Sequence, residues 1–103
     1  MRIIAKKTLV KYGLLEPLAK NALDSWYKKV EKADSQNHND LKEQFGNASI
    51  IDTTRVVFNI HGNSFRLVVD IDYRYHAVFI TWVGSHSEYD KINVKNVQYN
   101  PFD

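Results

Sequence analysis

Cysteine is absent from the 103 residues, and that one absence removes disulfides, thiolate metal sites and thiol nucleophiles together. Proline occurs twice and glycine four times. No linker, low-complexity segment or internal repeat is visible. No run of about 18 apolar residues exists, so nothing in the chain reads as a membrane-spanning helix. The opening Met1-Arg2-Ile3-Ile4-Ala5-Lys6-Lys7 lacks the apolar core of a signal peptide, and the expected location is the cytoplasm. In that setting Asn47-Ala48-Ser49 fits a glycosylation pattern but carries no weight. An excess of charge is missing too. Fourteen basic residues face twelve acidic ones, a formal net charge of +2, well short of the basicity that marks a nucleic-acid binder by itself. Any RNA binding must come from a local patch or from a larger assembly.

What is present is ordinary for a globular chain: 44% hydrophobic and 25% charged residues. The length suits a single domain, 1–103, with one modest core. Two halves differ in period. Arg2 to Ala5 reads as an edge strand, and Lys6 to Tyr12 as a short helix ended by Gly13. From Glu16 to Ala33, with Pro17 in the first turn, the spacing predicts a longer helix. Its apolar stripe is Leu15, Leu18, Ala22, Trp26 and Val30. Glu16, Lys20, Asp24 and Lys28 alternate in sign on a solvated face. After Asp34-Ser35-Gln36-Asn37 breaks the pattern, a third helix is expected from His38 to Phe45. Asn37 or Asn39 would cap it and Gly46 would stop it.

Three strands follow: Thr54 to Ile60, Ser64 to Asp72 and Ala77 to Val83. Val56, Phe58 and Ile60 share a face of the first; Phe65, Leu67, Val69 and Ile71 share a face of the second. The third is apolar on both faces. The pattern predicts an α+β fold, N-terminal helices packed on one face of a small curved antiparallel sheet.

Turn positions fix a register. If Gly62-Asn63 centres the first hairpin, Asn59 lies opposite Arg66, Val57 opposite Val68, and Arg55 opposite Asp70. If Arg74-Tyr75 centres the second, Arg66 lies opposite Val83 and Val68 opposite Thr81. Side chains alternate along a strand, so Arg66 points away from Phe65 and Leu67, onto the open face of the sheet. Asn59, Arg66 and the segment from Gly84 to Asp90 then converge at one end of it. A slip of one residue would undo this convergence.

Such a cluster suits phosphodiester chemistry. The fork of donors on an arginine matches two phosphate oxygens, where charge builds during cleavage. A histidine, titrating at about 6.5 in the free state, exchanges a proton at neutral pH. A tyrosine hydrogen-bonds through its hydroxyl or stacks under an unpaired base. The natural reaction is attack by the RNA's own 2′-hydroxyl, which needs no protein nucleophile and no cofactor. Plainer roles compete at each position. Arg66 can pair with Asp70 or Glu88, Tyr89 can pack its ring on the sheet, and Asp90 can cap a turn or orient Lys91 or His86. Asn59 and Asn63 suit the hairpin, Asn63 tolerating a positive φ. Lys42, Arg55 and Lys91 are cations able to contact RNA. Asp70 and Asp72 share a face without a third ligand, so no metal site is expected. Trp26 and Tyr27 read as core and rim of helix packing, and the loop histidines His38, His61 and His76 carry no signal.

The segment Phe58-Asn59-Ile60-His61-Gly62-Asn63-Ser64-Phe65-Arg66-Leu67-Val68 resembles the F-N-I-x-G-N-x-[FY]-R-L-V hairpin of HigB-type toxins. Val83-Gly84-Ser85-His86-Ser87-Glu88-Tyr89-Asp90-Lys91-Ile92 is similar to their closing h-x-[TS]-H-x-E-Y-D-K segment. Ala22 to Val30 looks like their L-x-x-W-Y-x-x-V helix. His61 departs from the pattern at a turn position often filled by glycine. The resemblance implies a RelE-like fold and cleavage of messenger RNA on translating ribosomes. It also implies neutralisation by a HigA-type antitoxin with a helix-turn-helix domain, DNA being touched only through that partner. It assigns Arg66, His86 and Tyr89 to catalysis. Asn59, Arg55, Lys42, Asp90 and Lys91 are the expected substrate contacts. ParE-like toxins, which bind DNA gyrase without chemistry, share the fold but usually lack the His86 and Tyr89-Asp90-Lys91 segment. An inactive RNA- or antitoxin-binding module is the third alternative.

Overall fold

A computed structural model describes residues 1–97; the expected domain span runs past them into residues 98–103, which lie outside the described residues. Strand β1 (Arg2–Ile4) leads into helices α1 (Lys6–Leu15), α2 (Pro17–Lys32) and α3 (His38–Gln44). Strands β2 (Ser49–Ile50), β3 (Arg55–Ile60), β4 (Phe65–Asp72) and β5 (Ala77–Ser85) follow, and a single turn of helix, α4 (His86–Tyr89), succeeds them. The sheet order is β1-β5-β4-β3-β2. The meander β2 to β5 is antiparallel, as expected, but β1 lies parallel to β5. A parallel partner needs a long crossover, and everything between β1 and β5 supplies it. The fold is thus α+β, as the sequence predicts, with a mixed sheet.

Helices and strands bury one another's apolar faces. On the sheet, Val56, Phe58, Ile60, Phe65, Leu67, Val69 and Ile71 all point into this core, as the alternation requires. Phe58 takes edge contacts from Trp26 and Phe45, each with ring centroids 5.3 Å apart. On α2 the buried face is Ala19, Leu23, Trp26 and Val30, not the expected stripe. Leu15 and Leu18 are exposed and Ala22 is half-buried. Both stripes obey helical spacing and share Trp26 and Val30; what α2 packs against, α1 together with β1 and β3, decides between them. Gly13 does not end α1 either. It sits buried inside the helix, where a Cβ would touch Lys20 at 3.4 Å, and it lets α1 and α2 close on each other. Of the two candidate caps for α3, Asn37 serves: its side chain accepts from the Asp40 N–H at 2.9 Å. His38, expected to be idle, bonds Tyr73 Oη through Nδ1 at 2.7 Å and the Asp52 carbonyl through Nε2 at 3.0 Å. A carbonyl only accepts, so Nε2 carries the proton and Tyr73 donates to Nδ1.

The β3–β4 register is the expected one, Asn59 facing Arg66 and Arg55 facing Asp70. The β4–β5 register is not. Asp72 to Val69 pair with Ala77 to Ile80 as expected, but a bulge leaves Thr81 unpaired, and Val68 then faces Trp82. The extra residue exchanges the two faces of the rest of β5. Val83 turns into the helix-side core and Trp82 turns out, and Arg66 lies opposite Gly84 instead of Val83. Nor is the outer face open. Val57, Val68 and Trp82 form a second small core there, covered by Ile51, Tyr89, Ile92, Val94 and Val97.

Candidate functional site

Arg66 projects from β4 onto the outer face, yet only 8% of it is exposed. Nη2 donates to Asn63 Oδ1 at 2.6 Å, and Nη1 donates to the carbonyls of Asn63 (3.2 Å) and Phe65 (3.1 Å). The hairpin turn that supplies Asn63 places its positive φ values on His61 (53°) and Gly62 (63°), not on Asn63 as expected. Asn63 instead holds the arginine. The left-handed backbone at His61 is one that glycine adopts without steric cost. The guanidinium lies 5.9 Å from the centroid of the Tyr89 ring, and that ring leans on Trp82 at 6.1 Å. Burial raises the Tyr89 hydroxyl above its ordinary range; nearby Arg66 pulls it down and Asp90 pushes it up. At neutral pH it is therefore a donor, not a base. Gly84 makes this stack possible, since a Cβ there would stand 2.4 Å from the Trp82 indole.

Neither carboxylate considered as a partner for Arg66 reaches it. Asp70 is held by Arg55, and Glu88 accepts from the Ser85 N–H at 2.9 Å. Among the described residues Arg66 forms no ion pair. A nearly buried cation held by neutral oxygens and an aromatic ring is an incomplete electrostatic arrangement. Such an arrangement is suited to an anion.

Glu88 and Ser85 form a capping box: Ser85 Oγ accepts from the Glu88 N–H while the Glu88 carboxylate returns to the Ser85 N–H. That box starts α4 at His86. The His86 N–H donates to the Ser64 carbonyl at 2.9 Å, which ties the helix to the turn that carries Asn63. The His86 side chain is about half exposed, with Nε2 3.8 Å from Asp90 Oδ2 one turn on. Arg66, His86, Tyr89 and Asp90 thus gather at one end of the sheet.

The family model HigB_toxin, a RelE-like toxic component of a toxin–antitoxin system, matches residues 19–92. The chain belongs to the HigB toxin family. No curated protein matches the chain as a relative. The matched span contains the long helix from Ala19 onward, the hairpin bearing Arg66 and the whole His86–Lys91 segment, so the RelE-like α+β fold and the quoted motifs agree. A toxin of this class works opposite an antitoxin partner.

The remaining expected site residues of this toxin fall in different places. Asn59 is half-buried beside Arg66 across the hairpin, and Lys91 is exposed just past α4. Arg55 and Lys42 are not brought to the cluster. Arg55 is buried on the outer face, paired in a fork with Asp70 at 2.8 Å from both Nε and Nη2. Its Nη1 donates to the carbonyls of Val94 (3.0 Å), Lys95 (3.2 Å) and Val97. A residue expected to meet RNA instead pins the segment that follows α4. Lys42 donates to the carbonyls of Gly46 and Ala48 in the turn beyond α3. Sequence reasoning missed Trp82, Gly84 and the part played by Asn63. The capping box was legible as Ser-x-x-Glu; the Trp82 platform was hidden by the bulge. No group of three or more potential metal ligands occurs among the described residues. No helix there is long and apolar enough to cross a membrane.

Proposed function

We propose that this toxin is an endoribonuclease that cleaves messenger RNA on the translating ribosome by 2′-hydroxyl attack. The observation that carries the reading is Arg66: nearly buried, stacked on Tyr89 and without a carboxylate partner among the described residues. Two of its nitrogens are fixed by Asn63, and the fork that remains offers its N–H groups to a phosphate, most strongly as charge builds on the non-bridging oxygens of the pentacoordinate phosphorus. The 2′-oxygen bonds to phosphorus and the bond to the 5′-oxygen breaks. The products are a 2′,3′-cyclic phosphate and a 5′-hydroxyl. One proton leaves the 2′-hydroxyl and one arrives at the departing oxygen. In this reading His86, about half exposed with Asp90 3.8 Å from its Nε2, exchanges them. Tyr89 donates a hydrogen bond or stacks a base, and Asn59, Asp90 and Lys91 line the approach. Arg55 and Lys42, already engaged within the protein, drop out of the substrate-contacting set.

The modest net charge of +2 supports dependence on the ribosome. So few cations give weak counterion-release affinity for free RNA, whereas a ribosomal site orients the message without it. In this reading the protein acts in the cytoplasm, its antitoxin is of the HigA type with a helix-turn-helix domain, and DNA is reached only through that partner. The test is to induce wild type, Arg66→Ala and His86→Ala separately and map 5′ ends on translated messages. Cleavage by wild type, lost in both variants, supports the reading. Growth arrest with intact messages overturns it in favour of a non-enzymatic, gyrase-directed toxin, and cleavage that survives in both variants overturns the site. Vigorous cleavage of naked RNA by the purified protein would remove the ribosome from the scheme.

A further inference from the structure

Four aliphatic side chains stand in solvent where α1 gives way to α2: Val10 at 50% exposure, Leu14 at 73%, Leu15 at 61% and Leu18 at 67%. Isolated exposed leucines need no explanation, but four around one helix corner approach the few hundred Å² at which an apolar patch marks an interaction site. Lys7 and Lys11 lie on the same stripe of α1 as Val10 and Leu14, at spacings of three and four, and both are exposed. Helix α1 carries three lysines and no acidic residue. Glu16 is the one carboxylate at the corner. Neither Lys7 nor Lys11 pairs with a carboxylate among the described residues.

We infer that this corner is where the antitoxin docks, by an amphipathic helix whose apolar ridge is flanked by aspartate or glutamate. Ridge spacing of three and four on such a helix meets Leu14, Leu15 and Leu18, and the acidic flanks meet Lys7 and Lys11. Charge selects this occupant. A second copy presenting this same corner about a two-fold axis would add its own Lys7 and Lys11 to an already cationic surface. Single-stranded RNA stacks its bases on aromatic rings, and the corner offers only aliphatic ones. The surface belongs to the helical layer, whereas Arg66 and Tyr89 stand on the other face of the sheet. Binding here is thus separable from the chemistry proposed above and rests on family membership alone.

The test is calorimetric titration of the purified toxin with its full-length cognate antitoxin. Leu14→Ser with Leu18→Ser, both exposed and so without cost to the core, should weaken binding by about 100-fold, as loss of a buried apolar anchor does. Lys7→Glu with Lys11→Glu should weaken it by about tenfold at low salt, chiefly through slower association. Circular dichroism of both variants should match wild type. Unchanged affinity in the leucine pair overturns the inference. So does concentration-dependent self-association of wild type that the leucine pair abolishes, which would make the corner a toxin–toxin contact. Co-sedimentation with anionic phosphatidylserine vesicles, lost in the same pair, would make it a membrane-facing surface and overturns it equally. If wild type cleaves no message, the ribonuclease reading falls while the titration still decides this one.

Discussion

Replacing Arg55 by methionine should loosen the outer face of the sheet and, with it, the seat of Tyr89. The substitution keeps a long apolar stem but removes the guanidinium, and with it two 2.8 Å contacts to Asp70 and three carbonyl contacts to residues 94, 95 and 97. Breaking one side of a buried ion pair costs about 3–5 kcal/mol, because the other charge is stranded. Here Asp70 is 35% exposed on its side chain, and water recovers part of that. A loss of about 2–3 kcal/mol follows. At the entropy density of a domain this size it lowers Tm by about 10 °C. Urea melts of wild type, Arg55→Met, Asp70→Leu and the double variant form a cycle that isolates the pair. The double variant should be more stable than Arg55→Met alone, since no carboxylate is then left without its partner. Arg55→Met within about 0.5 kcal/mol of wild type, the range of an ordinary surface change, would refute the pin. So would a double variant no better than the single one.

Two further outcomes follow from the same packing. Gly84→Ala puts a Cβ 2.4 Å from the Trp82 indole; the ring must move, at a cost of about 1–3 kcal/mol, and the emission of the tryptophans should shift to longer wavelength as Trp82 loses its cover. Alkaline unfolding should set in between pH 10 and 12. Tyr12 and Tyr73 are each pushed up to about 12, first by burial and then by nearby carboxylates. The folded state therefore holds these protons after the unfolded chain, titrating at about 10, has lost them. Stability is full below the unfolded value and falls as pH rises toward the folded one. The part of the tyrosinate absorbance that belongs to Tyr12 and Tyr73 rising together with loss of circular dichroism bears this out; titration of all six tyrosines in a folded protein would contradict it.

Much of the fold was legible because its signals are local. Alternation in β3 and β4 placed Phe58, Phe65 and Leu67 in the core, and the first turn fixed the facing of Asn59 and Arg66 without reference to anything distant. What could not be read depends on neighbours far along the chain. The stripe on α2 had two solutions at helical spacing, and the choice of Ala19 and Leu23 over Leu15 and Leu18 was made by the elements α2 packs against, α1, β1 and β3. The parallel pairing of β1 with β5 joins segments more than seventy residues apart and leaves no periodic trace. Arg55 was visible as a cation opposite Asp70. Its other set of partners lies on the segment after α4, and no spacing rule connects the two. For the candidate site, the residue types were readable and their surroundings were not.

The bulge at Thr81 connects these failures to the chemistry. Along β5, residues up to Ile80 obey the register expected from the second turn, and residues from Trp82 onward are displaced by one. Without that displacement Trp82 would face the helices and Val83 would face out beside Arg66. The outer face would then have no indole for Tyr89 to lean on, and a branched side chain would stand where Gly84 now leaves room for the ring. Arg66 would be a solvated cation on an open sheet, free to take any counter-ion. With the bulge, the same arginine is roofed by Tyr89, clamped by Asn63 and kept apart from Asp70 and Glu88. Desolvation strengthens what such a cation gains from an incoming anion. One unpaired residue in a strand thus converts an ordinary surface arginine into a nearly buried one with no carboxylate partner among the described residues, the property on which the proposed phosphate contact depends.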